Sequence, residues 1–250
     1  MHVTYYTDPA SPRAWAAEPG IRRVLTRFGD GVSFSYVMGG LARDIDDPLA
    51  MLRDMLGAAA ESAMPVDPRV WLEHPPRSTY PACLAIKAAA EQGLGVEFLR
   101  RAREGFMCER RTLCQSASLI DLARTVPGLD VTRFAIDLES DAIVESFSAD
   151  LERRRAAAGD RALPFVVVEG VAGLHDVGEL ERLVEAAGAV AKAAPRVEEA
   201  LRRFGRMATA EVAAVCELGG PLAAAELWRL AAQWRIRAER FVGGELWQPA

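Results

Sequence analysis

The sequence lacks any pair of cysteines at the spacing that redox or zinc chemistry requires. Its cysteines are Cys83, Cys108, Cys114 and Cys216. No two of them lie three positions apart, which excludes two-cysteine exchange of the C-x-x-C kind. The histidines are His2, His74 and His175. None has a cysteine or histidine at ligand spacing, so we predict no metal site.

Long apolar runs and an excess of positive charge are also missing. No apolar stretch reaches the roughly 20 residues that span a bilayer, and Met1 leads directly into His-Val-Thr-Tyr-Tyr without an apolar leader. We therefore expect a cytoplasmic protein with reduced thiols and no membrane partner. The formal net charge of −5 argues against a nucleic-acid partner.

The first 38 residues do carry a strand–helix–strand pattern. Residues 2–7 alternate β-branched and aromatic types and predict a strand that Asp8-Pro9 ends. Ser11-Pro12 is typical of a helix start, and the helix runs to Gly29 with a kink at Pro19. Val32 to Met38 predicts the second strand.

Helices alone are predicted for about residues 45 to 158. They lie near 47–62, 79–92, 95–109, 114–126 and 140–156. Strand character returns at Pro164 to Val168, turns at Glu169-Gly170 and passes through Val171 to Leu174 into a last helix. This order predicts an α/β, thioredoxin-like fold over residues 1–190, with a helical insertion at residues 44–159.

Residues 191–250, the C-terminal module, form a separate unit. A helix at Thr209 to Glu217, a turn at Gly219 to Pro221, a second helix and a hairpin around Gly243-Gly244 predict a small winged-helix-like module. DNA binding is one interpretation, but residues 196–250 hold eight arginines against seven glutamates. That balance favours packing or dimerisation over contact with phosphates.

The segment from Tyr5 to Trp15 resembles the active site of DsbA-like proteins, in which a strand ending in Asp-Pro leads into Cys-Pro-x-Cys-Trp. Ser11 and Ala14 stand at the two cysteine positions. The run Arg161 to Val167 resembles the cis-proline strand of that family, and Pro75 to Cys83 resembles the insertion of its cytoplasmic members. The leading serine is similar to kappa-class glutathione transferases and 2-hydroxychromene-2-carboxylate isomerases. Those families carry an Asp-Arg pair where this chain has His175-Asp176-Val177-Gly178.

The resemblance implies Ser11 as the catalytic residue and glutathione or another small thiol as the cofactor. The ligand-binding residues it implies are Pro12, Arg13, Trp15, Tyr80, Leu163, Pro164, His175 and Asp176. Leu163-Pro164 would be the cis bond. Trp15 and Tyr80 would line a cleft between body and insertion, or else belong to the core.

Ser11 admits two roles. A helix N-terminus supplies about 0.3–1 kcal/mol, less than one pKa unit at about 1.4 kcal/mol, so the hydroxyl cannot become a nucleophile. It could instead donate a hydrogen bond worth about 1.5–3 kcal/mol to the sulfur of a bound thiol. The alternative is a helix cap and nothing more. Arg13 is likewise either solvated or the partner of a bound anion.

Three functions are compatible with these residues. The first is an isomerase or transferase that activates a small thiol at Ser11. The second is a non-catalytic adaptor that binds a protein, similar to the Spx-degradation adaptors, with the tail as a docking surface or a homodimer contact. The third is a one-cysteine redox protein in which nearby arginines lower the thiol pKa of Cys108 or Cys114.

Overall fold

The computed structural model describes residues 1–159 and 161–250, without the side chain of Asp30. The predicted strand–helix–strand unit is present. Strand β1 spans His2–Thr7, helices α1 and α2 span Pro12–Ala16 and Glu18–Arg27, and β2 spans Ser33–Met38, parallel to β1. At the predicted kink the helix is divided into α1 and α2 at Ala17, which keeps right-handed helical angles, because Pro19 cannot donate a backbone hydrogen bond.

Seven helices form the insertion. They are α3 Pro48–Ser62, α4 Val70–Glu73, α5 Tyr80–Ala90, α6 Gly95–Met107, α7 Ser116–Ala123, α8 Val131–Leu138 and α9 Asp141–Ala158. The sequence pattern predicts neither α4 nor α8. Helix α8 begins at Asp130, whose carboxylate accepts hydrogen bonds from the backbone N–H groups of Thr132 and Arg133, and it buries Phe134. No helix in the described part of the chain has both the length and the apolar composition to cross a bilayer.

Strand β3, Phe165–Val168, completes the first sheet. It runs antiparallel to β1, and the strand order is β2-β1-β3. The strand predicted at Val171 to Leu174 is wrong: only one bridge forms, between His175 and Val166. Gly170 and Gly173 take positive φ angles of 81° and 97°, which turn the chain instead of extending it. Helix α10, Leu180–Ala186, then packs against α2.

The C-terminal module contains three helices and a second sheet. Its elements are α11 Val197–Phe204, β4 Met207–Ala208, α12 Thr209–Val215, α13 Gly220–Ala232, β5 Ile236–Phe241 and β6 Gly244–Pro249. The sheet is antiparallel in the order β4-β6-β5. The predicted helix–turn–helix and hairpin are present, whereas α11 and β4 were not predicted. The module has its own apolar core around Leu201, Val212 and Leu227.

The module also packs on the rest of the molecule at two places. Helix α12 lies against α2, where Glu211 pairs with Arg22 and Arg100. The hairpin tip approaches the insertion so closely that a Cβ atom on Gly243 would lie 2.3 Å from the Val66 carbonyl oxygen. Both contacts join residues that are far apart in sequence.

Candidate functional site

Ser11 begins helix α1 at the carboxyl end of β1. Its Oγ accepts a hydrogen bond from the Ala14 backbone N–H at 3.2 Å, which is the bond of an N-cap residue. The Ser11 backbone N–H donates to the Asp8 carbonyl oxygen at 3.3 Å. The predicted cap is therefore present. The predicted role of Ser11 toward a sulfur ligand stays a prediction.

The Leu163-Pro164 peptide bond is cis and lies at the same end of the sheet as Ser11. Tyr6 pairs with Phe165, so Pro164 follows in register beside Thr7, four residues before Ser11. The Leu163 side chain is buried and packs against Gly39, at the end of β2. The cis bond and the helix start at Ser11 thus lie at the same end of the sheet, and their role in binding a ligand stays a prediction.

Little solvent reaches this site. Ser11 is only 2% exposed and Ala14 is fully buried. Helix α3 of the insertion packs on α1, which follows Ser11. Arg13 is exposed, and its guanidinium pairs with the Asp54 carboxylate of α3 at 3.1 Å. Ser11, Leu163 and Pro164 do not line any of five of the cavities on residues 1–159 and 161–250.

The two aromatic residues predicted at a cleft lie in packed surroundings. Trp15 is 1% exposed, donates its indole N–H to the Pro65 carbonyl oxygen at 2.9 Å and lies under the Arg100 guanidinium. Tyr80 is half-buried and packs edge-on against Phe147 at 5.1 Å. Trp15 belongs to the apolar core of the insertion, and Tyr80 packs against that core. This is the core position that the sequence offers as the alternative to a cleft.

His175 and Asp176 lie at the other edge of the sheet. His175 bridges Val166 on the side of β3 that faces away from β1, so two strand spacings, about 10 Å, separate it from β1. Asp176 is exposed and accepts a hydrogen bond from Arg161 at 2.7 Å. Strand β3 therefore lies between His175 and β1, and the ligand-binding role of His175 and Asp176 stays a prediction.

Asp8 is a buried residue of this site that the sequence analysis did not single out. Its carboxylate accepts hydrogen bonds from the backbone N–H groups of Ala10 at 2.8 Å and Leu41 at 2.6 Å. The Thr79 hydroxyl donates at 2.7 Å and the Cys83 thiol at 3.4 Å. Burial raises the pKa of Asp8 despite these donors. The carboxyl group joins β1, the loop after β2 and the start of α5.

The cysteines are poorly suited to redox chemistry. Cys108 is 1% exposed and donates to the Pro65 carbonyl oxygen at 3.2 Å. Burial raises its thiol pKa and outweighs the lowering by Arg100 and Arg206, so the net lowering predicted for this residue is wrong. Burial also raises the pKa of Cys83, and it raises that of Cys216 to about 11. Cys114 is half-buried and donates to the Ser78 carbonyl oxygen at 3.2 Å.

Curated proteins named ClpXP adapter protein SpxH are similar to this chain in sequence. The one from Halalkalibacterium halodurans is 29% identical over 181 residues, which make up 66% of this chain and 58% of that protein. The one from Shouchella clausii is 25% identical, in an alignment covering 99% of this chain and 88% of that protein. This chain therefore spans less than two thirds of the first of these relatives.

Solved structures share the fold at low sequence identity. The cytosolic disulfide reductase DsbM from Pseudomonas aeruginosa with GSH has a TM-score of 0.60 and 19% identity, covering 74% of this chain and 95% of that one. A probable DsbA oxidoreductase from Streptomyces coelicolor has a TM-score of 0.60 and 22% identity, covering 74% and 88%. 2-Hydroxychromene-2-carboxylate isomerase has a TM-score of 0.55 and 16% identity, covering 75% and 95%.

A family model described as Thioredoxin matches residues 5–157, from the first strand to the last helix of the insertion. The solved structures cover about three quarters of the chain, so the winged-helix-like interpretation of residues 191–250 stays a prediction. The chain belongs to the thioredoxin family, and its fold is the DsbA-like form with a helical insertion.

Proposed function

We propose that this chain is a protein-binding adaptor that uses the thioredoxin fold without thiol chemistry. The observation that carries the proposal is the closed, cysteine-free site at residues 11–14. Thiol–disulfide exchange needs an accessible thiolate. Ser11 and Ala14 supply none, and both are buried.

The names of the curated relatives indicate the class of partner. Each is called a ClpXP adapter protein, so we propose that this chain binds a protein substrate and presents it to a Clp-type protease. An adaptor needs a stable surface rather than a reactive group, which fits the buried thiols of Cys83, Cys108 and Cys216. The homodimer and the cytoplasmic location stay predictions from the sequence.

A reconstituted degradation assay tests the adaptor proposal. We expect the purified chain to accelerate ClpXP degradation of an Spx-type substrate, and Ser11→Ala to accelerate it equally, because the hydroxyl only caps α1. If the chain neither changes the degradation rate nor co-elutes with ClpX or the substrate in gel filtration, the proposal fails. Complete loss of acceleration in a folded Ser11→Ala variant would contradict the passive role given to the site.

A second candidate is binding of glutathione or another small thiol at Ser11 for isomerase or transferase chemistry. The observation that favours it is the position of the Ser11 helix end and the cis Leu163-Pro164 bond at one end of the sheet. Burial of Ser11 weighs against it, because the packing around the hydroxyl would have to open before a ligand could reach it.

Calorimetric titration with glutathione separates the two candidates. The adaptor proposal predicts no heat at millimolar glutathione for the wild type. The thiol-binding candidate requires heat that Ser11→Ala abolishes. If the Ser11→Ala variant still gives heat, glutathione binds to the protein but Ser11 takes no part in binding it.

A further inference from the structure

A cavity of about 410 Å³ lies where the C-terminal module meets the rest of the molecule. Helices α2 and α6 form two of its sides, and the turn between α11 and β4 forms a third. Its volume falls in the range of small-molecule sites, which often lie between domains. Ser11, Leu163 and Pro164 do not line it, so it is separate from the degenerate thioredoxin site.

Apolar side chains line this cavity on each of the elements that form it. They are Ile21 and Leu25 from α2, Val96 and Leu99 from α6, and Pro127 and Phe204, with the ring of Tyr36 from β2 beside them. Tyr36 and Val96 also line a second cavity of about 250 Å³, so the two cavities adjoin at these side chains. Walls of this kind favour a ligand with an apolar body, because burying apolar surface is favourable.

The charged groups around the cavity balance one another. The arginines that line it are Arg22, Arg100, Arg101, Arg103, Arg203 and Arg206. All but Arg203 form ion pairs within a set of five glutamates, Glu18, Glu104, Glu109, Glu211 and Glu239. Arg203 is exposed and shares the lining with the exposed Glu97. The cavity lining and its ion-pair partners therefore carry no net charge.

This balance favours an uncharged ligand. A charged group would lose its hydration on entering the cavity without meeting an opposite charge that lacks a counterpart. A charge-balanced guanidinium still offers its planar face to an aromatic ring. Arg22 and Arg203 make this contact with Phe204, with their guanidinium carbons 5.1 and 5.0 Å from the ring centroid. An aromatic ring in the ligand would extend these contacts.

The Tyr36 hydroxyl is a polar group of the lining that can bind a ligand. Within residues 1–159 and 161–250 it has no hydrogen-bond partner, yet it does not belong to the polar atoms that are closed off from solvent. Burial raises the pKa of Tyr36, so the phenol stays protonated at neutral pH and can donate a hydrogen bond. A carbonyl oxygen is an uncharged acceptor for this donor.

We propose that this cavity binds an uncharged aromatic ketone. Its ring packs against the apolar walls at Leu99 and Phe204, and its carbonyl oxygen accepts a hydrogen bond from the Tyr36 hydroxyl. The proposal goes beyond the adaptor function and does not depend on it, because the cavity is separate from the degenerate site. Failure of the binding experiments below would leave the degradation assay unaffected.

Calorimetry on the full chain tests the ligand class with three matched probes. We expect 4-phenylbutan-2-one to bind at one site. Its anionic analogue 3-phenylpropanoate and its cationic analogue 4-phenylbutan-2-amine should each bind at least about tenfold more weakly, since neither charge finds a free counterpart. No heat from the ketone at millimolar concentration, or equal affinity for either charged probe, would overturn the proposal.

Tyr36→Phe tests the polar contact. We expect it to weaken ketone binding about threefold to tenfold, because one neutral hydrogen bond is lost while the ring stays in place. Tyr80→Phe is the matched control. Tyr80 is also half-buried, but it packs against Phe147 outside the cavity, so its hydroxyl should not affect the ketone. Unchanged affinity in a folded Tyr36→Phe variant would contradict the assigned hydrogen bond.

A second pair of variants tests the location. Val96 is 48% exposed at the cavity, and Val144 is 49% exposed on α9, outside it. Val96→Trp should fill the cavity and abolish ketone binding, whereas Val144→Trp should leave it intact. Full binding to a folded Val96→Trp variant would place the ketone elsewhere and refute the assignment.

Discussion

Asp8 shows how one side chain can join three elements that are distant in sequence. Its carboxyl group contacts donors from Ala10, Leu41, Thr79 and Cys83, and no cation faces it at ion-pair distance among the described residues. Burial raises its pKa, so the folded state holds the Asp8 proton more tightly than the unfolded chain does. The hydrogen bonds of the Asp8 carboxyl group stabilise the fold. Ionising this buried group lowers the free energy of unfolding.

This carboxyl group gives a pH prediction. The unfolded Asp8 carboxyl ionises near pH 3.9 and the folded one at a higher pH. Between these two values the native state binds more protons, so the stability of the wild type should fall as pH rises. The Asp8→Asn variant cannot ionise at this position, so its stability should not show this fall with pH. We expect the wild type to lose free energy of unfolding relative to Asp8→Asn from about pH 4 upward, measured by urea unfolding.

Asp46→Asn, at an exposed position, is the control for removing one carboxylate. A wild type that gains stability relative to Asp8→Asn over the same pH range would show that the assigned direction of the pKa is wrong.

At the scale of elements, the β5–β6 hairpin fixes the C-terminal module to the insertion. Its tip, at Gly243, lies against the backbone of Val66, while Pro65 accepts hydrogen bonds from Trp15 and Cys108. The hairpin therefore supports the same loop that receives the Trp15 indole from α1. This arrangement explains why a glycine is needed at the tip.

We expect Gly243→Ala to lower the free energy of unfolding by about 1–3 kcal/mol, because backbone atoms of Val66 cannot move aside as a flexible side chain would. Gly57→Ala is the matched control. Gly57 lies within helix α3 with nothing within 4 Å of an added Cβ, so alanine there should raise stability by about 0.5–1 kcal/mol. Urea unfolding measures both. Equal effects at the two positions would contradict the close approach.

At the scale of the whole molecule, buried ion pairs hold the C-terminal module against α2 and α6. Glu211 is fully buried and accepts hydrogen bonds from Arg100 and from the Ala208 backbone N–H at 2.7 Å. Glu18 lies beside it. Burial alone would raise the pKa of Glu18, but Arg103, Arg100 and Arg22 together lower it. Through these ion pairs the C-terminal module packs against α2 and α6.

Glu211→Gln should destabilise the protein by up to about 3–5 kcal/mol, because it removes one carboxylate from a buried cluster of charges. The buried guanidinium of Arg22 then keeps only Glu18, at 3.6 Å. In calorimetry we expect a lower unfolding temperature, with the module unfolding before the rest of the chain. Glu226→Gln removes a more exposed pair with Arg229 and should cost at most about 1 kcal/mol. A loss below about 1 kcal/mol for Glu211→Gln would mean that the ion pairs do not hold the module.

The amino-acid sequence determined the order of the main elements, the kink near Pro19, the cap at Ser11 and the absence of cysteine at positions 11 and 14. These features follow from local propensities and residue identity. Only the tertiary structure decided that Ser11 is buried, that His175 lies beyond β3, and that Glu211 meets Arg100, 111 residues away in sequence. Burial and charge pairing at such separations depend on how elements pack, and no periodicity along the chain records them.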